Sequence, residues 1–194
     1  MDKGNCGEII SIAPSIGKTK LTDWLIVKRQ SWRLFFSKAT IVITVIFVFG
    51  LVFFSRFKIV GDPQEVKCIP GYTVYLVDTK NKEIKRDGLY MFLSKDLSPF
   101  YKKNTQMLKY LRALPGDEVV INGNDQIFIN GKAGEWGLSL AEEKMNVDAS
   151  KFHGKIKLGD DQFWFLGTSP RSFDSRYWGA VKSESIVGRA YPLI

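Results

Sequence analysis

Seventeen consecutive uncharged residues, Ala39 to Ser55, lie between Lys38 and Arg56 and are rich in Ile, Val and Phe. A run of that length is at the lower end of what crosses a hydrocarbon core as a helix. Leu34-Phe35-Phe36-Ser37 lengthens it if Lys38 snorkels toward the headgroups. The run is apolar on every face, which suits lipid better than the one-sided stripe of a soluble core helix. A cleaved secretory signal is the rival reading. The leader before the run is long, however, and Ser55-Arg56-Phe57-Lys58 is nothing like a small-x-small cleavage site, so an uncleaved anchor is expected. Lys18, Lys20, Lys28, Arg29, Arg33 and Lys38 precede it, against Arg56, Lys58 and Lys67 in a similar window after it. The positive-inside rule then leaves the N-terminus in the cytoplasm. The expected division is a basic cytoplasmic segment (1–38), a transmembrane anchor (39–55) and an exported, periplasmic domain (56–194), single-pass in the inner membrane.

The net charge of +8 could by itself suggest nucleic acid. Half of it falls in residues 1–38, which hold seven basic against three acidic residues, and no basic run interleaved with aromatics stands out. The partner expected from this charge is membrane lipid, not nucleic acid. Of the two cysteines, Cys6 and Cys68, the anchor puts one on each side of the membrane, so they cannot pair within one chain. Cys68 is then a lone thiol, either an inert core residue, half of an intermolecular disulfide, or a reactive group.

Beyond residue 56, strand signals dominate. Tyr72–Val77, Gly88–Leu93, Met107–Leu114, Glu118–Ile121, Gln126–Ile129, Gln162–Leu166 and Ser185–Tyr191 are β-rich. They are punctuated by the charged turn Lys80–Asp87, by Pro115-Gly116-Asp117, by Asn122-Gly123-Asn124-Asp125 as a hairpin loop, and by Asn130-Gly131. Residues 137–150 read as a short helix or a variable excursion. The expected fold class is mostly β, an antiparallel sheet or barrel-like domain behind a single N-terminal transmembrane helix.

Three segments then occur in order. They are Lys67-Cys68-Ile69-Pro70-Gly71, Leu108-Lys109-Tyr110-Leu111-Arg112-Ala113-Leu114-Pro115-Gly116-Asp117, and Ser172-Phe173-Asp174-Ser175-Arg176-Tyr177-Trp178-Gly179. Together they resemble the signal peptidase I family over roughly Val60 to Ile194. The first matches the family's nucleophile segment, the second its general-base lysine six residues before Pro-Gly-Asp, and the third its most specific signature. The compact size, the Asn130-Gly131-Lys132 turn and the ending from Ile186 to Leu193 resemble the conjugative-transfer, TraF-type branch, which matures pilins and in some cases closes them into rings. The resemblance implies Cys68 and Lys109 as a catalytic dyad. It further implies that Ser172 orients the lysine amine and that Asp174 and Arg176 pair to hold their loop; without it, Asp-x-Arg is an ordinary surface pair.

The residue types suit that chemistry. Acyl transfer needs a nucleophile, a proton acceptor and donors for the developing oxyanion. The single histidine, His153, falls in the variable 137–158 stretch and reads as an exposed turn residue. A lysine is then the natural base, provided desolvation weakens its hold on the proton. Leu108, Leu111 and Leu114 are expected to supply that desolvation. Phe173, Tyr177 and Trp178 read as packing.

The sequence departs from the family at three places. Cysteine stands where the family has serine, Val66 stands where a hydroxyl often helps bind the oxyanion, and Gly167-Thr168-Ser169-Pro170-Arg171 replaces the usual Gly-Asp-Asn-Arg-Asp. A free thiol is about a few per cent thiolate at neutral pH, and a nearby cation raises that fraction. The dyad therefore rests either as thiolate and ammonium or as two neutral groups. With Val66 apolar, the oxyanion would depend on backbone N–H groups, that of Cys68 first.

The expected function is a membrane-anchored peptidase that cleaves an exported precursor protein, a conjugative pilin by the branch resemblance, through an acyl-enzyme. The alternatives are a pilin cyclase or transpeptidase using the same dyad, and a catalytically silent anchored scaffold of a conjugation or secretion system. No cofactor and no metal are expected.

Overall fold

The computed structural model describes residues 31–65 and 67–194. Helix α1 spans Trp32–Arg56, 25 residues with none buried. At 1.5 Å per residue it is about 37 Å long, more than the roughly 30 Å of a hydrocarbon core. Its length and composition are those of a membrane span. It extends beyond the 39–55 run at both ends. Residues Phe49–Ile194 form one compact unit.

Among the described residues ten strands follow: β1 Phe57–Gly61, β2 Val74–Asp78, β3 Leu89–Leu93, β4 Gln106–Ala113, β5 Glu118–Ile121, β6 Gln126–Ile129, β7 Lys132–Trp136, β8 Gly154–Lys157, β9 Trp164–Leu166 and β10 Ile186–Pro192. They form a six-stranded sheet in the order β1-β2-β10-β3-β4-β9 and a four-stranded sheet in the order β7-β6-β5-β8, with every pairing antiparallel. Two short helices, α2 Ser139–Glu143 and α3 Ser175–Trp178, complete the unit. The expected mostly β, antiparallel architecture is what forms, and the short-helix reading of 137–150 is the one realised.

The large sheet is covered on both faces. One face packs Tyr90, Phe92, Met107, Leu111, Phe163 and Phe165, with Phe92 and Phe165 stacked at 4.6 Å. The other packs Ile69, Tyr75, Val77, Leu89, Met91 and Ala190. A third cluster joins Val119, Ile121 and Ile127 of the small sheet to Leu140 of α2, Tyr177 of α3 and Phe173. Alternation along β4 produces this layering. Met107, Lys109, Leu111 and Ala113 are buried while the residues between them are half-buried. Lys109 therefore shares a face with Leu111, whereas Leu108, expected beside it, turns to the opposite face.

One glycine is fixed by the sheet. A Cβ on Gly188 would lie 2.2 Å from the Asp78 carbonyl oxygen, where β10 shifts register against β3 and begins to pair with β2. No side chain fits there.

Candidate active site

The segment from Ser172 to Trp178 is held by one ion pair. Arg176 donates from Nε to Asp174 Oδ1 and from Nη2 to Oδ2, each at 2.7 Å, and both side chains are fully excluded from solvent. The guanidinium also donates to the carbonyls of Gly137 at 2.8 Å, Ser169 at 3.0 Å and Ser172 at 3.1 Å. Asp174 accepts in addition from the Gly167 backbone N–H at 2.9 Å. Burial opposes the charge on Arg176, but Asp174 outweighs it, so the guanidinium holds its proton more tightly than usual. A buried pair persists only when its remaining hydrogen-bonding capacity is met, as here.

Gly167 is where the candidate residues converge. The register Tyr110↔Leu166, carried one residue further, sets Gly167 level with Lys109. A Cβ there would lie 2.2 Å from Ser172 Oγ and 2.9 Å from the Cys68 carbonyl oxygen. That carbonyl accepts from the backbone N–H of Thr168 at 3.0 Å and of Ser169 at 3.4 Å, so the altered 167–171 loop clamps the Cys68 backbone. Ser172 Oγ is fully buried with no hydrogen-bond partner among the described residues. Lys109 is 5% exposed and stands opposite Tyr90.

Cys68 and Lys109 line one cleft of about 440 Å³, with Gln64, Met107, Tyr101 and Phe173. Strand β9 pairs with β4 only from Tyr110 onward, which leaves Gln106–Lys109 with a free edge facing this cleft. The Cys68 thiol donates to Gln64 Oε1 at 3.6 Å. Among the described residues it makes no hydrogen bond to the Lys109 amine. Tyr75 lies in the wall, its phenol pushed up to about 12 by burial and then by the Asp62 carboxylate, so it stays protonated at neutral pH.

At another part of the wall Lys144 sits over three rings, 4.6 Å from the Tyr101 centroid, 5.1 Å from Phe173 and 5.4 Å from Phe100. Beside it Arg171 pairs with Glu143 at 2.8 Å.

Phe173, read as packing, is therefore both core and cleft wall. His153, read as an exposed turn residue, is partly buried and pairs with Asp125 at 2.6 Å, tying strand β8 to the β5–β6 hairpin loop. It lies outside the cleft. Gln64 and Lys144 were not singled out by sequence; neither belongs to a spacing pattern, and only the fold brings them to the cleft. Val66 lies outside the described residues. Among the described residues no group of three or more His, Cys, Asp and Glu gathers as metal ligands would.

The fold and cleft define an antiparallel β module whose cleft is lined by a cysteine and a lysine, Cys68 and Lys109. The family model "Signal peptidase, peptidase S26" matches residues 31–194, and the chain belongs to that family. A probable signal peptidase I-2 of Synechocystis is 32% identical over 112 residues, covering 57% of this chain and 48% of the relative. A signal peptidase I of Leptolyngbya laminosa is 32% identical over 88 residues, covering 45% and 40% respectively. The chain thus spans about half the length, or less, of these curated relatives. A crystal structure of a signal peptidase I from Enterococcus faecalis is 28% identical, covers 56% of this chain and 97% of that one, and superposes with a TM-score of 0.36.

Proposed function

We propose that this chain is a membrane-anchored signal peptidase that cuts an exported precursor protein through an acyl-enzyme at Cys68, with Lys109 taking and returning the proton. The observation that carries this reading is the convergence at Gly167. The Cys68 carbonyl and the unpartnered Ser172 hydroxyl meet there, level with Lys109 by strand register, beside a cleft lined by both Cys68 and Lys109. A buried hydroxyl without a partner is destabilising by about 1–3 kcal/mol, and an amine swinging toward it relieves that. Ser172 then orients Lys109, while Asp174 and Arg176 hold the segment that carries Ser172.

The precursor lies extended along the free edge of Gln106–Lys109, its backbone continuing the sheet and its side chains alternating into the cleft. Sγ attacks the scissile carbonyl carbon and its proton passes to Lys109. Collapse of the adduct breaks the C–N bond, Lys109 protonates the departing amine, and water hydrolyses the thioester.

The flanking charges support an inner-membrane protein with its N-terminus in the cytoplasm and the catalytic domain in the periplasm. The TraF-type ending of the chain supports a conjugative pilin precursor as substrate. The thiol favours one further reading within the same class. Thioesters react readily with amines, so the acyl group passes to a pilin N-terminus and closes a ring.

The test is co-expression of the full chain with candidate pilin precursors, read by intact mass. A shortened or ring-closed product is expected with wild type, and an uncut precursor with Cys68→Ala and with Lys109→Ala. Normal processing by Cys68→Ala ends the covalent mechanism, and a mass lower by one water than the cut product identifies the ring.

A further inference from the structure

We propose that Gln64 is a further catalytic residue, whose side-chain amide donates a hydrogen bond to the oxyanion formed when Cys68 attacks the peptide carbonyl. The inference rests on the peptidase reading above and assigns a donor that the sequence leaves missing, since Val66 offers no side-chain hydrogen bond.

Three observations carry it. The Gln64 amide is the group that the Cys68 thiol touches, at 3.6 Å, an ordinary separation for a sulfur donor. Gln64 lines the same cleft as Cys68 and Lys109, the space in which the precursor is proposed to lie. Its backbone is also tied down, because the Gln64 N–H donates to Asp62 Oδ1 at 3.1 Å. That anchors the turn between β1 and the Cys68 loop.

The geometry fits an oxyanion donor. In the tetrahedral adduct the new oxygen is two bonds from Sγ. A group within about 4 Å of the sulfur can therefore reach that oxygen at the roughly 2.7–3.1 Å such contacts require. At rest the amide presents Oε1, which accepts from S–H. Once the thiol proton has gone to Lys109, that oxygen faces sulfur with nothing to accept. A half-turn about the terminal torsion, which is broad and two-fold for glutamine, brings Nε2–H to the same place. Sγ then bonds to carbon, the carbonyl π pair moves onto oxygen, and Nε2–H donates to it. On collapse the pair returns, the C–N bond breaks and the Lys109 proton leaves on the amine. One side chain thus serves the thiol first and the oxyanion second.

A peptide aldehyde with small residues before the carbonyl separates this step from the rest. Its hemithioacetal with Cys68 keeps the tetrahedral oxygen but has no leaving group. Iodoacetamide alkylates the same sulfur without forming any oxyanion. With the full chain in detergent, alkylation is measured on the peptide that carries Cys68, and adduct affinity is read as the aldehyde concentration that protects Cys68 from alkylation. Gln64→Ala is expected to weaken the aldehyde adduct by at least about tenfold and to lower precursor turnover by roughly 10²–10³-fold at little changed KM. Alkylation stays within about twofold. Gln64→Glu, which keeps the shape but removes the donor, is expected to be at least as impaired. An adduct as tight in Gln64→Ala as in wild type overturns this inference alone. A matching fall in alkylation also overturns it, since Gln64 would then act only on the thiol. A wild-type chain that forms no adduct at Cys68 removes the nucleophile reading and this inference together.

Discussion

Two parts of one short stretch, Ser172 to Arg176, are built in opposite ways. The Asp174–Arg176 pair is sealed from solvent and saturated: Arg176 meets a carboxylate and three backbone carbonyls, and Asp174 also takes the Gly167 N–H. Two residues away, Ser172 Oγ is equally buried and bonded to nothing among the described residues, and Cys68 and Lys109 line one cleft with no hydrogen bond between them. Saturation gives rigidity. On the peptidase reading proposed above, the Ser172 hydroxyl is held open for the Lys109 amine, and the rigid pair fixes the segment that carries it.

The largest expected effect breaks the saturated side. Arg176→Met strands the Asp174 carboxylate and three carbonyls in the interior, and is expected to lower unfolding stability by about 3–5 kcal/mol. Urea unfolding of the detergent-solubilised chain measures it; a loss below about 1 kcal/mol would mean the pair is not sealed. Next comes the contact between the two sides. Gly167→Ala drives a methyl into Ser172 Oγ and the Cys68 carbonyl, and about 1–3 kcal/mol should be lost, with precursor processing falling further than stability explains.

Ser172→Ala sharpens the comparison by changing sign. Removing an unpartnered buried hydroxyl is expected to leave stability unchanged or raise it by up to about 1 kcal/mol, while processing falls. Lower stability in that variant would show that the hydroxyl has a partner after all.

The smallest effect is a pH dependence away from both sides. Burial pushes the Asp117 carboxyl up, but the Leu114 N–H, the Asn130 amide and Arg86 together outweigh it, holding it below its ordinary 3.8. A carboxylate depressed in the folded state contributes stability that is complete above its unfolded pKa and lost as pH falls through the folded one. Asp117→Asn should therefore flatten the stability curve below about pH 4 and leave its shape at neutral pH alone. An unchanged acid limb would mean Asp117 titrates normally.

The legible and illegible parts of the fold divide by burial. The seven strands read from sequence all form, with ends shifted by at most two residues. The three that were missed, β1, β7 and β8, are all sheet edges. All four residues of β8 are exposed, and β7 carries Gly134 at its centre, so neither offers an apolar alternation to read. The candidate site divides in a similar way. Lys109, Ser172, Asp174 and Arg176 were visible because they sit in spaced segments. Gln64 and Lys144 reach the cleft through turns whose path no local pattern encodes, and Leu108, expected beside Lys109, lines the same cleft from the opposite face of β4.

Gly188 makes one position of this chain an internal gauge of correct assembly. The Asp78 carbonyl fills the space its side chain would need, so a saturation library sorted for intact, protease-resistant protein should return glycine there almost alone. Val187 and Arg189, half-buried on either side, should tolerate many replacements. Depletion at 188 set against tolerance at its two neighbours would report, without any substrate, that β10 has threaded between β2 and β3.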